Sequence, residues 1–554
     1  MLVFRDGRQT LPGEILFQGL AHAIRSLGAD GSLINPLNED KTIDALLRAG
    51  ELECALSDAA WPEAARMAEL TDALASLLVT SHSDYRYSEL LEFISAVPVP
   101  PTLQISPPEG FAYYALHPLH FADLVCNLLL RSDRAAVIGI RSIGTTLSAV
   151  VVAALRKRGV IAERVTVRPC GHPFDRHTEF SVDANRWIAR QRELSAEFVV
   201  VDEGPGLSGS SFLSVADALT AKNVEPSRVV FLCSSEPDVN RLCASDAAVR
   251  WAKFRTYTAT GRTVPGDALT DIGGGQWRNH FYNHASLWPA SWIQMERTKF
   301  LSRDQRSLVK FEGFGRYGRE VYRRSCVLGE NGFAPVPRGF DNGYVSYPVE
   351  KARPASAQDI SQKVVDQLAQ YCAFRRREFQ VNVPASQSEP GLAGMLRWNV
   401  QEEFGHDLTK RDVSQIPDEM EISHPVFVDG RMQPHEWLLM PNRLLKVDGA
   451  SHGDDHFFPG PTDIAWDLAG TIVEWRMDSR TIDYFTDRYR LLCGDDPEER
   501  LPLFINAYTA FRLGYCKMAA ESMSGTEEQG RLYQEYQRYR ALLAMWLPNL
   551  SVAS

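Results

Sequence analysis

The chain has 554 residues and a formal net charge of −11, with 44% hydrophobic and 23% charged residues. This length exceeds one ordinary domain and indicates three or four. The net negative charge argues against a general nucleic-acid-binding protein. The nine cysteines include no C-x-x-C pair, which is typical of reduced thiols in a cytoplasmic protein.

The first residues lack the apolar core of a secretory signal peptide. No uninterrupted apolar run approaches the roughly 18 residues needed to span a bilayer. The sequence therefore predicts a soluble cytoplasmic protein with small-molecule substrates and no membrane partner. The oligomeric state, a homo-oligomer included, stays open.

Three regions follow one another along the chain. Residues 1–95 are predicted to be mostly helical, because apolar residues recur at helical spacing, as at 43–56. The proline-rich run at 97–102 then marks a boundary. Residues 105–292 alternate apolar strands with helices, which predicts a doubly wound α/β domain with a parallel sheet. Residues 300–554 are predicted to form an α+β domain that is mainly helical beyond 356.

A buried strand at 198–201 is followed by two acids and then by a glycine- and serine-rich loop. Backbone N–H groups at the start of the next helix can bind a phosphate, and Asp202 and Glu203 can bind hydroxyl groups. The pattern G-x-G-x-x-G at 204–209 also allows a dinucleotide site, but acids directly before the glycines favour a sugar phosphate. An ordinary helix N-terminus is the third alternative.

This loop resembles the phosphoribosyl pyrophosphate (PRPP) loop of type I phosphoribosyltransferases. The resemblance implies that Asp202 and Glu203 hold the ribose hydroxyls and act in catalysis. It further implies that the loop binds the remainder of PRPP through Gly204, Gly206, Leu207, Ser208, Gly209, Ser210 and Ser211.

A second strand-loop-helix element, at 138–146, resembles the pyrophosphate-binding loop of the same family. The resemblance implies that Arg141, Ser142 and Gly144 hold pyrophosphate, since a guanidinium binds phosphate bidentately. The polar stretch 168–180 resembles the family's flexible flap, which would place Arg176 on PRPP. A surface arginine at a turn and a solvated hairpin are the alternatives for these two elements.

The segments 444–450 and 461–470 resemble the C-terminal lobe of aminoglycoside-phosphotransferase-like kinases. The resemblance makes Asp448 a metal ligand, and it makes Lys310 the nucleotide lysine with Glu320 as its partner. The catalytic loop departs from the family pattern at 429–439. Arg431 stands where the catalytic aspartate belongs, and Glu436 replaces the metal-binding asparagine. An arginine cannot act as a general base, whereas Glu436 can still bind Mg²⁺.

Together these resemblances predict an enzyme that transfers 5-phosphoribosyl from PRPP to an unidentified acceptor and releases pyrophosphate. Mg²⁺ would be its cofactor, and the kinase-like domain would bind ATP or the acceptor. The alternative is a regulatory or scaffold protein that binds PRPP or a nucleotide without turnover and carries a pseudokinase-like C-terminal domain. Aromatic and flexible residues make Tyr113, Tyr114 and the stretch 273–277 candidates for the acceptor pocket.

Overall fold

The structure is a computed structural model that describes most of the chain. The described residues are 1–28, 39–80, 87–206, 208–259, 269–382, 391–405, 416–458 and 460–547. Among them, no helix combines the length and the apolar character that crossing a bilayer requires.

The N-terminal region is a layer of helices whose ends are joined by a short antiparallel strand pair. Apolar residues at helical spacing form the buried faces of these helices, as the sequence predicted. The elements are β1 (Gln9–Pro12), α1 (Gly13–Leu27), α2 (Glu39–Asp58), α3 (Ala64–Thr80), α4 (Tyr87–Ser95), β2 (Thr102–Ile105), α5 (Glu109–Ala112) and α6 (Leu119–Cys126). β1 pairs with β2.

A five-stranded parallel sheet follows, in the order β4-β3-β7-β8-β9. Its central strands are fully buried because helices cover both faces. The elements are β3 (Arg134–Ile140), α7 (Ile143–Lys157), β4 (Ile161–Val167), β5 (Cys170–His172), β6 (Asp175–His177), α8 (Val182–Glu193), β7 (Glu197–Val201), α9 (Ser210–Ala221), β8 (Val229–Cys233), α10 (Ala247–Trp251) and β9 (Arg255–Thr258). The predicted parallel sheet is confirmed, whereas its assignment to the phosphoribosyltransferase fold is not.

The next unit is an antiparallel sheet of five strands, in the order β10-β11-β12-β14-β13. Its elements are β10 (Leu269–Asp271), α11 (Arg278–Phe281), β11 (Lys299–Ser302), β12 (Ser307–Phe311), α12 (Arg316–Glu330), β13 (Gly339–Asp341) and β14 (Tyr344–Pro348). β10 pairs with β11 across the boundary predicted between 292 and 300. That boundary is therefore too late in the chain, since it would divide this sheet.

The remainder is mainly helical, as predicted, and is built around a second large apolar core. Its elements are β15 (Arg353–Pro354), α13 (Gln362–Glu378), α14 (Leu392–Phe404), β16 (Pro425–Val426), β17 (Trp437–Leu439), β18 (Leu444–Lys446), β19 (Thr462–Asp463), α15 (Ala465–Glu474), α16 (Ser479–Cys493), α17 (Leu501–Ser522) and α18 (Glu527–Trp546). The part from β10 onward is kinase-like. It has an antiparallel sheet, one helix after the third strand of that sheet, and a helical second lobe.

The N-terminal region contacts the kinase-like part directly. On α2, Asp44 accepts a hydrogen bond of 2.8 Å from the backbone N–H of Arg316, and Glu51 pairs with the Arg316 guanidinium at 2.6 Å. Tyr113, after α5, donates its hydroxyl to the backbone carbonyl of Asp454 at 2.7 Å. The helical layer is thus in contact with the parallel sheet on one side and with the kinase-like part on the other.

Candidate functional site

A cavity of about 230 Å³ lies between the antiparallel sheet and the helical lobe. Distant parts of the chain form its wall: the two tyrosines after α5, the segments 272–310, 348–354 and 431–457, and two residues of α17, Arg512 and Tyr515. Aromatic and ionisable side chains both line this wall. A partly apolar cavity with a few charged groups is the usual form of a small-molecule site.

Lys310, on β12, lines the cavity and is buried. Its Nζ is 2.5 Å from Oδ1 of Asp448 and 3.3 Å from Oε1 of Glu312. Burial alone would lower the pKa of Lys310, but these two carboxylates raise it above its ordinary value. Lys310 is therefore a fixed positive charge that faces the cavity, which is what phosphate binding requires.

Asp448 follows β18 and joins Lys310 to a second ionisable cluster. His452 lies with Nε2 at 3.1 Å from the other oxygen of Asp448 and 3.9 Å from Glu436. Burial would raise the pKa of Asp448, but His452 and Lys310 lower it well below its usual range. Asp448 is thus an anion throughout the physiological range, as a metal ligand must be.

Glu436 belongs to a set of oxygen and nitrogen donors that could hold a metal ion. One donor atom each from Asp429, Glu436 and His452 lie within 4.8 Å of one another. Lys446 already lies between the two acids, with Nζ at 3.2 Å from Asp429 and 2.5 Å from Glu436. Asp429 is fully buried beside Lys446, whereas Glu436 and Asp448 both face His452 and line the cavity, so these two carboxylates are the ones that could hold a hard cation such as Mg²⁺. The structure thus brings together both metal ligands that the sequence predicted.

The loop that carries these groups is held by a buried ion pair. Asp467, on α15, accepts hydrogen bonds from the backbone N–H groups of Asp429 at 2.8 Å and Gly430 at 3.1 Å. The Arg375 guanidinium, on α13, is 3.3 Å from the same carboxylate. Burial raises the pKa of Asp467 to about 6 in spite of that partner. Asp467 therefore braces the loop at Asp429 and Gly430.

Arg431 lines the cavity beside this cluster. Its guanidinium lies over the ring of Tyr515, 5.0 Å from the centroid. Among the described residues it has no hydrogen-bond or ion-pair partner. Burial would lower the pKa of Arg431, but Tyr515 and Asp455 raise it, so the group stays charged. The kinase resemblance places a catalytic aspartate at position 431, and the structure has at that position a cation open to the cavity.

Sequence reasoning missed the wall that can hold a nucleobase. Leu308 on β12, Leu438 on β17 and Val447 after β18 line the cavity together with the connection from β14 to β15, residues 349–352. An apolar slot next to an irregular backbone connection can stack a flat ring and bond its edge. Leu308 and Val447 are close in sequence to Lys310 and Asp448, but only the fold shows that these two parts of the chain line one cavity.

The triple glycine at 273–275 follows β10, so it precedes Lys310 inside the antiparallel sheet. Gly275 donates its backbone N–H to Glu296 at 2.9 Å, and Trp277 donates its indole N–H to the same carboxylate at 3.0 Å. Trp277, Tyr113 and Tyr114 line the cavity, so these acceptor-pocket candidates come together.

Glu320 is not brought to Lys310. Its side chain is 57% exposed and pairs with Arg323 at 3.1 Å on the outer surface of α12. Glu312, two residues after Lys310, occupies the place that the sequence had given to Glu320. The prediction is corrected because the register of α12 turns position 320 away from the cavity.

The residues predicted to bind PRPP lie at the carboxyl end of the parallel sheet. Gly144, in the Arg141 loop, packs so closely on β7 that a Cβ there would lie 2.5 Å from the carbonyl oxygen of Val201. Asp202 and Glu203 follow β7 and are partly buried, and Glu203 accepts a hydrogen bond from the N–H of Gly110 at 3.1 Å. The two predicted loops are therefore adjacent.

Several groups in these loops are engaged within the protein. Arg141 pairs with Asp58 of α2 at 2.9 Å, so its guanidinium is held by the N-terminal helices. Ser208 and Ser210 donate their hydroxyls to the carbonyl of Pro173 in the β5–β6 hairpin, at 2.8 and 2.6 Å. The remaining predicted residues lie around them, except Leu207, which is outside the described residues. Ser142 and Gly209 directly precede α7 and α9, and Gly204 and Gly206 lie between β7 and α9. Ser211 is on α9, and Arg176 is on β6.

The acid pair predicts a pH effect on stability. Burial raises the pKa of Asp202 to about 7, and burial together with Asp202 raises that of Glu203 to about 8. The unfolded chain loses these protons near pH 4, so the wild type loses stability as the pH rises from there through 8. Between pH 5 and pH 8.5, we expect the free energy of unfolding of the wild type to fall by about 2 kcal/mol more than that of the double variant Asp202→Asn, Glu203→Gln.

Denaturant unfolding at the two pH values measures this difference. Asp183→Asn is the matched control, because its side chain is 92% exposed and pairs only with its neighbour Arg186 on α8. Equal pH dependence in the wild type and the double variant would show that the two carboxyl groups ionise as freely in the folded protein as in the unfolded chain.

No protein-family model matches the sequence, and no curated protein matches it. Solved structures do match. The choline kinase LicA from Streptococcus pneumoniae is 14% identical, with 45% of this chain and 89% of that chain covered and a TM-score of 0.32. A choline/ethanolamine kinase family protein from Mesorhizobium loti is 12% identical, with coverages of 50% and 98% and a TM-score of 0.31. The macrolide 2′-phosphotransferase MphH from Brachybacterium faecium is 14% identical, with coverages of 44% and 88% and a TM-score of 0.30.

The matched structures are kinases and phosphotransferases, and they contradict the predicted transfer of a phosphoribosyl group. That prediction is wrong as the function of this chain. The geometry agrees with the correction, since the large cavity lies at Lys310 and Asp448, away from the loop at 202–211. Identities this low concern the fold alone, so the ligands of the cavity have to be argued from its own residues.

Proposed function

We propose that the kinase-like part binds a nucleoside triphosphate with Mg²⁺ and transfers its terminal phosphoryl group to a small molecule. One observation carries the proposal. The buried ion pair of Lys310 and Asp448 lines the same cavity as the apolar side chains of Leu308, Leu438 and Val447. A cation, an anion and an apolar surface in one cavity match the phosphates, the metal and the base of a nucleotide.

Some cavity residues position the substrates, and others neutralise the charge of the phosphates. Lys310 binds phosphate oxygens, and Glu312 holds its ammonium group in place at 3.3 Å. Asp448 and Glu436 would hold Mg²⁺, which neutralises charge on the transferring phosphoryl group when bound. Tyr113 and Tyr114 line the same cavity, and the acceptor would lie on their side of it. Excluding water from that side protects the phosphoryl group from hydrolysis.

Replacing Lys310 by Met tests the proposal. The variant keeps most of the buried side-chain volume but leaves the triphosphate without its cation. We expect the dissociation constant of Mg·ATP, measured by calorimetry, to rise by about tenfold or more. Lys363→Met is the matched control, since Lys363 is an exposed lysine on α13. Equal ATP affinity in wild type and Lys310→Met would show that the nucleotide does not bind in this cavity.

A further inference from the structure

The acceptor side of the cavity has an unusual charge. Arg431 projects its guanidinium there, and no described residue pairs with it. Other cavity arginines are engaged: Arg297 pairs with Glu312 at 3.2 Å, and Arg512 with Glu474 at 3.5 Å. A partly buried cation without a hydrogen-bonded or ion-paired partner carries a desolvation cost, which a ligand of opposite charge offsets. The cavity thus selects a ligand with an anionic group at this point.

The same residue removes the general base from its expected position. Phosphoryl transfer to a hydroxyl group releases a proton, which kinases pass to an aspartate of the catalytic loop. Arg431 stays protonated and cannot accept one. A carboxylate, with an ordinary pKa of about 4, or a phosphate monoester, with a second pKa of about 6, has no proton to lose near pH 7.5. An anionic acceptor therefore needs no base, and Arg431 offers the charge that such an acceptor requires.

We infer that the acceptor is an anion, a carboxylate or a phosphate monoester, and that Arg431 binds the oxygens of its anionic group. This inference rests on the proposed phosphotransferase function. In the reaction, a lone pair of an acceptor oxygen forms a new bond to the terminal phosphorus of the nucleoside triphosphate. The bond from that phosphorus to the bridging oxygen breaks, and its electron pair leaves with the nucleoside diphosphate. No proton is transferred, and the product is an acyl phosphate or a diphosphate.

The cavity wall also suggests the form of the acceptor. Tyr515 lies directly beneath the Arg431 guanidinium, while Tyr113 and Tyr114 face the cavity from the N-terminal region. Arginine on an aromatic face keeps its plane fixed, which favours bidentate contact with a carboxylate or phosphate. A ligand that combines an anionic group with a flat apolar body fits this wall, so benzoate and phenyl phosphate are suitable probes.

The binding experiment uses the full chain saturated with Mg·ADP and follows tryptophan fluorescence, since Trp277 and Trp292 line the cavity. The probes are benzoate, phenyl phosphate, neutral benzyl alcohol and cationic benzyltrimethylammonium. We expect at least one anion to bind about tenfold more tightly than the neutral and cationic probes. We expect Arg431→Gln to abolish this preference and Arg431→Lys to keep part of it. Arg443→Gln, at an exposed arginine between β17 and β18, should equal the wild type.

Three results would overturn the inference. They are neutral or cationic probes that bind as tightly as the anions, an anion preference that survives Arg431→Gln, and no binding of either anion. Circular dichroism and Mg·ADP affinity establish that the variants are folded. If Mg·ATP does not bind the wild type, the proposed phosphotransferase fails, whereas an Arg431-dependent anion site can still be detected without nucleotide.

A product assay separates the two acceptor chemistries. The chain is incubated with γ-labelled ATP and the anion that binds, and hydroxylamine is added. Hydroxylamine converts an acyl phosphate to a hydroxamate and leaves a diphosphate intact. A label that resists hydroxylamine and behaves as a phosphate monoester on a hydroxyl group would contradict the inference. Loss of transfer in Asp455→Asn with full transfer in Arg431→Gln would contradict it too, because Asp455 would then be the base.

Discussion

Asp448→Asn is expected to abolish the effect of Mg²⁺ on ATP binding and to lower phosphoryl transfer by about a hundredfold or more. Asparagine keeps the shape of the side chain but cannot supply the negative charge that Lys310 and His452 hold in place. Without that charge the cation loses one of its two carboxylate ligands. The loss corresponds to about 3 kcal/mol of barrier, since each tenfold change in rate is about 1.4 kcal/mol.

Calorimetric titration of ATP with and without Mg²⁺ separates this effect from general damage. In the wild type, Mg²⁺ should raise ATP affinity by about tenfold or more. In Asp448→Asn, metal-free ATP should bind at least as well as in the wild type, because a negative charge facing the phosphates is gone. Asp483→Asn, an exposed aspartate on α16, is the control. An unchanged Mg²⁺ effect in Asp448→Asn would assign the metal to other groups.

ATP binding without transfer to any acceptor would leave a nucleotide-binding protein of the regulatory class. Arg431 favours this outcome, because it stands where the kinase resemblance expects the catalytic base. The anionic-acceptor inference accounts for the same replacement in an active enzyme. Measuring transfer to anionic and hydroxyl acceptors on one preparation therefore distinguishes the two interpretations, which the sequence of the catalytic loop alone cannot do.

Secondary structure was largely predictable because it depends on short-range patterns. The strand predicted at 198–201 lies within β7, and the strand-loop-helix element predicted at 138–146 spans the end of β3 and the start of α7. The secondary-structure predictions required only local spacing, which one sequence contains. Asp448 and Glu436 were chosen from the kinase resemblance, and both line the cavity, while their role as metal ligands stays a prediction.

The cavity itself was not predictable from these patterns. Its wall combines Tyr113, Leu308, Leu438 and Arg431, which are far apart in sequence and meet only through tertiary packing. The partner of Lys310 was assigned to α12 by analogy, yet Glu312 on the same strand lies closer. Both discrepancies arise because side-chain direction depends on how sheet and helix are packed, which spacing along the chain does not record.

The phosphate-loop prediction failed for another reason. The strand, acid and glycine pattern at 198–211 did produce a strand, a tight turn and a helix N-terminus. That local structure is compatible with many ligands, so it identifies no particular function. Arg141, which was assigned to pyrophosphate, is held by Asp58 of α2 at 2.9 Å. A resemblance based on one loop could not include this long-range ion pair.

Arg164→Met is expected to lower the free energy of unfolding by about 3–5 kcal/mol. Arg164 lies on β4 with its side chain 4% exposed, and its guanidinium binds the carboxylate of Glu53 at 2.7 and 2.8 Å and that of Asp72. Removing it leaves Glu53 of α2, which is 3% exposed, as a buried charge without its partner. The double variant with Glu53→Gln should recover part of the loss, because the uncompensated charge is then removed as well.

Arg186→Met is the matched control, because Arg186 forms an ion pair with Asp183 in which both side chains are mostly exposed. Such a pair contributes about 0–1 kcal/mol, so this variant should unfold at nearly the wild-type denaturant concentration. Amide hydrogen exchange shows where the structure is destabilised, and α2 and α3 should lose protection first in Arg164→Met. Because α2 also holds Arg316 at the start of α12 through Asp44 and Glu51, exchange should rise there as well. Unchanged protection at α12 would show that the helical layer stabilises the parallel sheet without supporting the sheet that carries Lys310.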